Sequence, residues 1–134
     1  MNHLRKAHEL ATHARTRAHV PYSHFAVGAA AKLRDSDQIV TGCNIENASF
    51  GATVCAERNA IFKAVCEHGS VGFEFMVVVT DEQPPAVPCA LCLQVMAEFC
   101  DPEMEVHLAT PREILRTLRF RELLPHPFTT FEAE

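Results

Sequence analysis

The chain has 134 residues, 48% of them hydrophobic and 22% charged, with a formal net charge of −5. That length suits one domain over 1–134 with a real core, and the composition is that of a soluble globular protein. The acidic balance, with no basic block, argues against a nucleic-acid partner. No apolar run reaches the length of a membrane span or a signal-peptide core, so the expected location is cytoplasmic.

Leu4, Ala7, Ala11, Ala14 and Ala18 recur at spacings of three and four, which predicts a helix over 2–18 that packs closely on a sheet. His3, His8, His13 and His19 lie off that stripe and read as solvated rather than metal-binding. Pro21-Tyr22-Ser23 ends the helix. The apolar run 25–33 reads as a strand covered on both faces, with Gly28 allowing a backbone or ligand to come close. Arg34-Asp35-Ser36-Asp37 is a polar hairpin turn before a second strand over 39–44. In the link 44–51, Glu46 stands between Asn44 and Asn47. Such a group can clamp hydroxyls or satisfy its own loop backbone, and the residues leave both readings open.

A second helix follows over 54–67, with Ala56, Ala60, Ile61, Ala64 and Val65 facing inward. The run 75–80 is an apolar strand rich in β-branched residues. A loop with Pro84 and Pro85 leads to a third helix over 89–100. Its stripe is Cys92, Val95, Met96 and Phe99, but Leu91 and Leu93 add further apolar faces, which suggests a subunit interface. Strands over 105–110 and 114–118 precede a tail holding Leu123, Leu124, Pro125 and Phe128, then polar residues. A hairpin followed by crossovers implies a mixed sheet with helices on both faces. Ligands in such sheets bind near helix N-termini at the strands' carboxyl ends.

Two cysteine motifs fall at such helix starts: Cys55-Ala56-Glu57 and Pro88-Cys89-Ala90-Leu91-Cys92. A spacing of three puts Cys89 and Cys92 on one face of a first turn, which Pro88 is suited to open. Three thiolates can hold Zn²⁺ and leave the fourth tetrahedral position for water, the arrangement of a catalytic rather than a structural site. Glu57 is then the proton carrier. Residues two apart do not share a helix face, so Cys55 and Glu57 converge only if the helix starts at about Cys55. Six cysteines could form three disulfides, but that framework belongs to short secreted chains. Cys43, Cys66 and Cys100 read as buried small apolar residues.

The chain resembles the small homotetrameric cytidine deaminases over nearly its whole length. The resemblance rests on Pro21-Tyr22-Ser23-His24-Phe25, Val27-Gly28-Ala29-Ala30, Gly42-Cys43-Asn44-Ile45-Glu46-Asn47-Ala48-Ser49, Cys55-Ala56-Glu57-Arg58, Gln94-Val95-Met96 and the paired cysteines. It implies a five-stranded mixed sheet in an α/β/α sandwich, a zinc ion on Cys55, Cys89 and Cys92, and Glu57 as the proton carrier. It further implies that Asn44 and Glu46 hold the ribose 3′-hydroxyl, Phe25 packs on the pyrimidine, and Ala56 offers backbone groups to the base. Phe128 would reach a neighbouring subunit's site. The implied activity is hydrolytic deamination of cytidine and deoxycytidine in pyrimidine salvage.

Three residues depart from the family's pattern. Leu93 stands where an arginine is expected to offset the net −1 charge of three thiolates and Zn²⁺, so weaker activity than in a Leu93→Arg variant is expected. Phe50 replaces a tyrosine, and Ala90 replaces a glycine. These departures keep two other readings open: a deaminase of modified or antibiotic cytosine nucleosides, and a zinc-stabilised nucleoside-binding homologue. Glu57 weighs against the second, since structural zinc has no use for an unliganded carboxylate there.

Overall fold

A computed structural model describes residues 2–131; the polar residues that end the tail lie outside that range. The chain forms α1 (His3–Arg15), β1 (Gly28–Leu33), β2 (Ile39–Cys43), α2 (Ala56–His68), β3 (Phe73–Val79), α3 (Ala90–Phe99), β4 (Glu105–Ala109), β5 (Ile114–Arg119) and the short α4 (Phe120–Leu123). The strands make one sheet in the order β2-β1-β3-β4-β5. Its β3–β4 pair is parallel and the other three are antiparallel. This is the mixed five-stranded sheet expected.

Alternation along the strands divides the core between two faces. Ala30, Val77, Val79 and Ala109 pack with Ala7 and Ala11 of α1. Ala29, Ala31, Val40, Met76, Val78, Val106 and Leu108 pack on the other side, with Ala60, Ile61 and Ala64 of α2 and with Leu93 and Met96 of α3. The result is three layers, α/β/α. No helix among the described residues is long and apolar enough to cross a membrane.

Two glycines let α1 and α2 lie close against the sheet. A Cβ on Gly28 would lie 2.0 Å from Ala11 O and 2.7 Å from Arg15 N, so the close approach expected there is by the backbone of α1. A Cβ on Gly42 would lie 2.5 Å from both Ala56 O and Ala60 N. Gly42 thereby fixes the height of the start of α2 above the sheet.

Several boundaries differ from the sequence reading, each for a local reason. The first helix stops at Arg15 rather than Ala18, because Thr16, Arg17 and Ala18 donate to carbonyls three residues back and close a tighter turn. The first strand joins its ladder only at Gly28. Before it, Asn44 Oδ1 accepts from Val27 N (2.9 Å) and Asn44 Nδ2 donates to Phe25 O (2.7 Å), so a side chain does the work of a neighbouring strand. The third strand starts earlier than expected, at Phe73. α4, unforeseen, is closed by Glu122 Oε2 accepting from Arg119 N (2.9 Å).

The spare cysteines do not all behave as small core residues. Cys100 is buried, Cys43 is half-buried, and Cys66 is exposed because it lies on the outer side of α2. All six are free thiols. Of the α1 histidines, His13 is exposed, whereas His8 is half-buried with Nε2 2.7 Å from Thr110 O.

Substituting Gly42 tests the seating of α2. Gly42→Ala is expected to cost about 3 kcal/mol in urea denaturation, since backbone on both sides must move. Gly51→Ala, where a Cβ would meet nothing within 4 Å, should stay within about 0.5 kcal/mol of the parent.

Candidate active site

The sequence motifs meet because α2 and α3 begin in the same way. Each has a cysteine at its N-cap with extended backbone: Cys55 at φ −71°, ψ 159° and Cys89 at φ −71°, ψ 168°. α2 therefore starts where the convergence of Cys55 and Glu57 required. Pro88 lies one residue before the cap rather than in the first turn. Cys92 sits in the first turn of α3 and is wholly buried. Cys89 Sγ lies 3.7 Å from Cys55 Sγ and 3.5 Å from Cys92 Sγ. All three sulfurs fall within 4.8 Å of one another. Thiolates about 2.3 Å from a tetrahedral zinc are spaced by about 3.8 Å, close to the two separations through Cys89, so the cluster suits that ion. The cluster supplies three ligands, which leaves one position of a tetrahedron open.

Glu57 is buried, at 5% exposure, and faces a cavity of about 150 Å³ beside Cys55 and Cys89. Burial pushes its carboxyl up to about 7, with Cys55 adding to the effect and its own backbone N–H opposing it. It has no salt-bridge partner among the described residues. Phe25, Val27 and Val78 form apolar walls of the cavity, Thr80 and Asn44 lie on its polar side, and Ala86 and Val87 come from the loop before Cys89. The space is small against the roughly 300–1,000 Å³ of pockets that bury whole drug-sized ligands. It suits one ring rather than a polymer.

Arg58 is the residue that sequence reasoning overlooked. Its guanidinium donates to Cys55 Sγ (3.4 Å). Burial works against its charged form, but the sulfurs of Cys55 and Cys92 hold its pKa above the ordinary value. In return, Cys55 is brought down to about 5, first by its hydrogen bond with Cys92 and then, against the cost of burial, by Arg58 and Cys89. Cys92 is pushed up by that same bond and by burial. The surplus negative charge assigned to the cluster is therefore met by Arg58, and Leu93 has a different job. Leu93 is 8% exposed and belongs to the main core. Arginine in place of Leu93 would bury a guanidinium among apolar side chains, which argues against the gain expected from Leu93→Arg. A signal for Arg58 did exist. A cation in the first turn of a helix opposes the macrodipole and is out of place without an anion beside it, and three residues after the cap it shares a face with Cys55.

The other candidates are more dispersed. Asn44 is 8% exposed, lines the cavity, and spends one hydrogen and one lone pair of its amide on the backbone of Phe25 and Val27. Glu46 lies in a separate open depression with Tyr22, Phe50 and Thr53. It accepts from Tyr22 N (3.0 Å), Ser23 N (3.1 Å) and the Ser23 hydroxyl, and the hydroxyl first of all holds its pKa below the ordinary value. Both residues thus satisfy the backbone of the 22–27 segment rather than their own loop. Ala56 is buried beneath the start of α2. Phe128 is 64% exposed, away from the cavity of its own chain, with its carbonyl accepting from Gln94 Nε2 (2.8 Å). Phe50 is 76% exposed and meets Tyr22 edge-on at 5.9 Å.

Comparison with known proteins agrees with this arrangement. Residues 1–108 match the family model for the cytidine and deoxycytidylate deaminase zinc-binding region. A cytidine deaminase of Halalkalibacterium halodurans is 45% identical over 119 residues, covering 89% of each chain. The crystal structure of a cytidine deaminase from Burkholderia pseudomallei superposes with a TM-score of 0.87 at 40% identity, covering 96% of this chain and all of that one. One from Mycobacterium tuberculosis gives 0.80 at 35% identity, covering 95% and 98%.

Arg58→Met should lower zinc affinity about tenfold or more in competition with a chromophoric chelator, as loss of a partner to a metal ligand commonly does. Leu93→Arg should leave zinc affinity no better and lower the melting temperature.

Proposed function

The chain belongs to the family of cytidine and deoxycytidylate deaminases, and we propose that it catalyses hydrolytic deamination of cytidine and deoxycytidine to uridine and deoxyuridine. The observation that carries this reading is the pairing of an open three-thiol cluster with a buried carboxylate that has no salt-bridge partner among the described residues, beside a small, largely apolar cavity. A zinc ion held by Cys55, Cys89 and Cys92 would supply a Lewis acid that brings a water's pKa towards about 7.

The remaining steps belong to the chain's own side chains. Glu57 takes a proton from the attacking water as the new C–O bond forms at C4 of the cytosine ring. It delivers that proton to N3. It then carries the hydroxyl proton of the adduct to the departing amine, so that the C4–N bond breaks and ammonia leaves. Water is consumed, the ring gains a carbonyl oxygen, and Glu57 ends as it began. A carboxylate fixed in the first turn of a helix can reach both the water and the ring without reorganising. Phe25, with the valines beside it, would pack on the ring and keep bulk water out. Ala56 would present its backbone to the base.

Asn44 retains an amide hydrogen and a lone pair beyond its two backbone bonds. With Glu46, which would exchange part of its hold on Ser23, it would bind the ribose 3′-hydroxyl. Phe128 would close a neighbouring subunit's site in a homotetramer. Support for assembly lies in the exposed Phe62, Leu91 and Phe128, large apolar groups that a monomer leaves in water. Residues 1–134 would act as one domain. Six free thiols suit a reducing cytoplasm, where the activity would serve pyrimidine salvage.

The test is ammonia release from cytidine by zinc-loaded protein. Glu57→Gln should reduce kcat about a thousandfold with zinc content unchanged, the scale of a lost general acid–base. A Glu57→Gln protein that turns cytidine over at the parent rate would refute the assignment.

A further inference from the structure

The cavity lies where two neighbouring strands part company. β1 runs antiparallel to β3, and their pairing ends at Gly28 opposite Val79. Phe25 and Val27 enter the cavity from one side of that fork. On the other side Thr80 lines it, and residues 81–88 continue through Ala86 and Val87 to Cys89. Past the fork no ladder holds the two walls at a fixed separation.

Arg15 spans that gap. Its Nε donates to Ala26 O (3.0 Å), and its terminal nitrogen forms an ion pair with Asp81. Ala26 is the residue between the two wall residues Phe25 and Val27, and Asp81 begins the loop that forms the opposite wall. The carbonyls of Phe25 and Val27 are taken by Asn44, so Arg15 supplies the partner for the one between them. The anchor of this bridge is firm. Arg15 closes α1, and its backbone lies against Gly28, where a Cβ would come 2.7 Å from its nitrogen. The guanidinium's planar fork allows the two bonds to be made at once in different directions.

We infer that Arg15 is a positioning residue that sets the width of the cavity mouth, by tying the 25–27 wall to the 81–88 loop; this rests on the deaminase reading of the cavity. Its effect should fall on substrate binding more than on chemistry. Cys55 and Glu57 are carried by the start of α2, seated separately through Gly42 and through Asn59 Nδ2 donating to Cys43 O (2.8 Å), and α3, which carries Cys92, is held in the core by Leu93 and Met96. The plainer role, a cation at a helix C-terminus paired with an acid that is 69% exposed, would contribute little and would not touch KM.

The experiment compares zinc-loaded parent, Arg15→Met, Arg15→Lys, Asp81→Asn and the Arg15→Met/Asp81→Asn double variant. KM for cytidine should rise about tenfold in Arg15→Met and about threefold in Asp81→Asn, with kcat within about twofold and zinc content unchanged. Arg15→Lys should recover only part of the loss, since an ammonium lacks the fork. The double variant should be no worse than Arg15→Met, because both changes cut one bridge. In the same proteins, amide hydrogen exchange across 81–88 should quicken in Arg15→Met. An unchanged KM in Arg15→Met and Arg15→Lys, or a lower melting temperature as the only effect, would overturn the proposal. Should the parent release no ammonia, the deaminase reading would fall instead, and the exchange across 81–88 alone would decide whether Arg15 holds the walls: quickened exchange sustains it, and unchanged exchange removes it.

Discussion

Three sulfur atoms must lie within about 4 Å of one another to share a tetrahedral zinc, and two of the helices serve that constraint. Cys55 comes from the start of one helix and Cys89 and Cys92 from the start of another, 34 residues further on, yet the Cys55–Cys89 sulfur separation is 3.7 Å. Bringing two helix N-termini so near requires both helices on the same face of the sheet and seated at the same height. The seat for α2 is Gly42, whose missing side chain lets the backbone of Ala56 and Ala60 rest against the strand. α3 is seated through Leu93 and Met96 in the shared core. The packing of small residues is thus part of the metal chemistry.

The same convergence creates an electrostatic problem. Two N-terminal dipoles, each like about half a positive charge, favour thiolates, but three thiolates outweigh a divalent ion. Arg58 offsets the excess from the same turn that presents Glu57. One short stretch, Cys55 to Arg58, therefore supplies a ligand, a buried carboxylate and a counter-cation. Glu57 makes no salt bridge among the described residues, and burial outweighs the pull of Arg58, so its carboxyl is pushed up to about 7.

Much of this was legible before any coordinates. The layer order followed from helix and strand periods, since alternation in the strands and three-four spacing in the helices are set by backbone geometry alone. The ligand set was legible because cysteines at that spacing have few other uses in a chain without disulfides. What was hidden depended on contacts between distant segments. Nothing local in Phe25-Ala26-Val27 shows that Asn44 and Arg15 replace its ladder partners, so the apolar run predicts a strand three residues longer than the ladder. Leu93 packs in the core rather than standing free as a counterpart to the cluster's charge, and a sequence does not show which face of α3 enters the core. Residue type alone predicts an interior Cys66, whereas its place on the outer side of α2 leaves it exposed.

The central claim is an open site with three sulfur ligands, and X-ray absorption at the zinc edge tests it most directly. The zinc-loaded protein should show three sulfurs at about 2.3 Å and one oxygen or nitrogen at about 2.0 Å. Four sulfurs would mean a closed structural centre and would contradict the account.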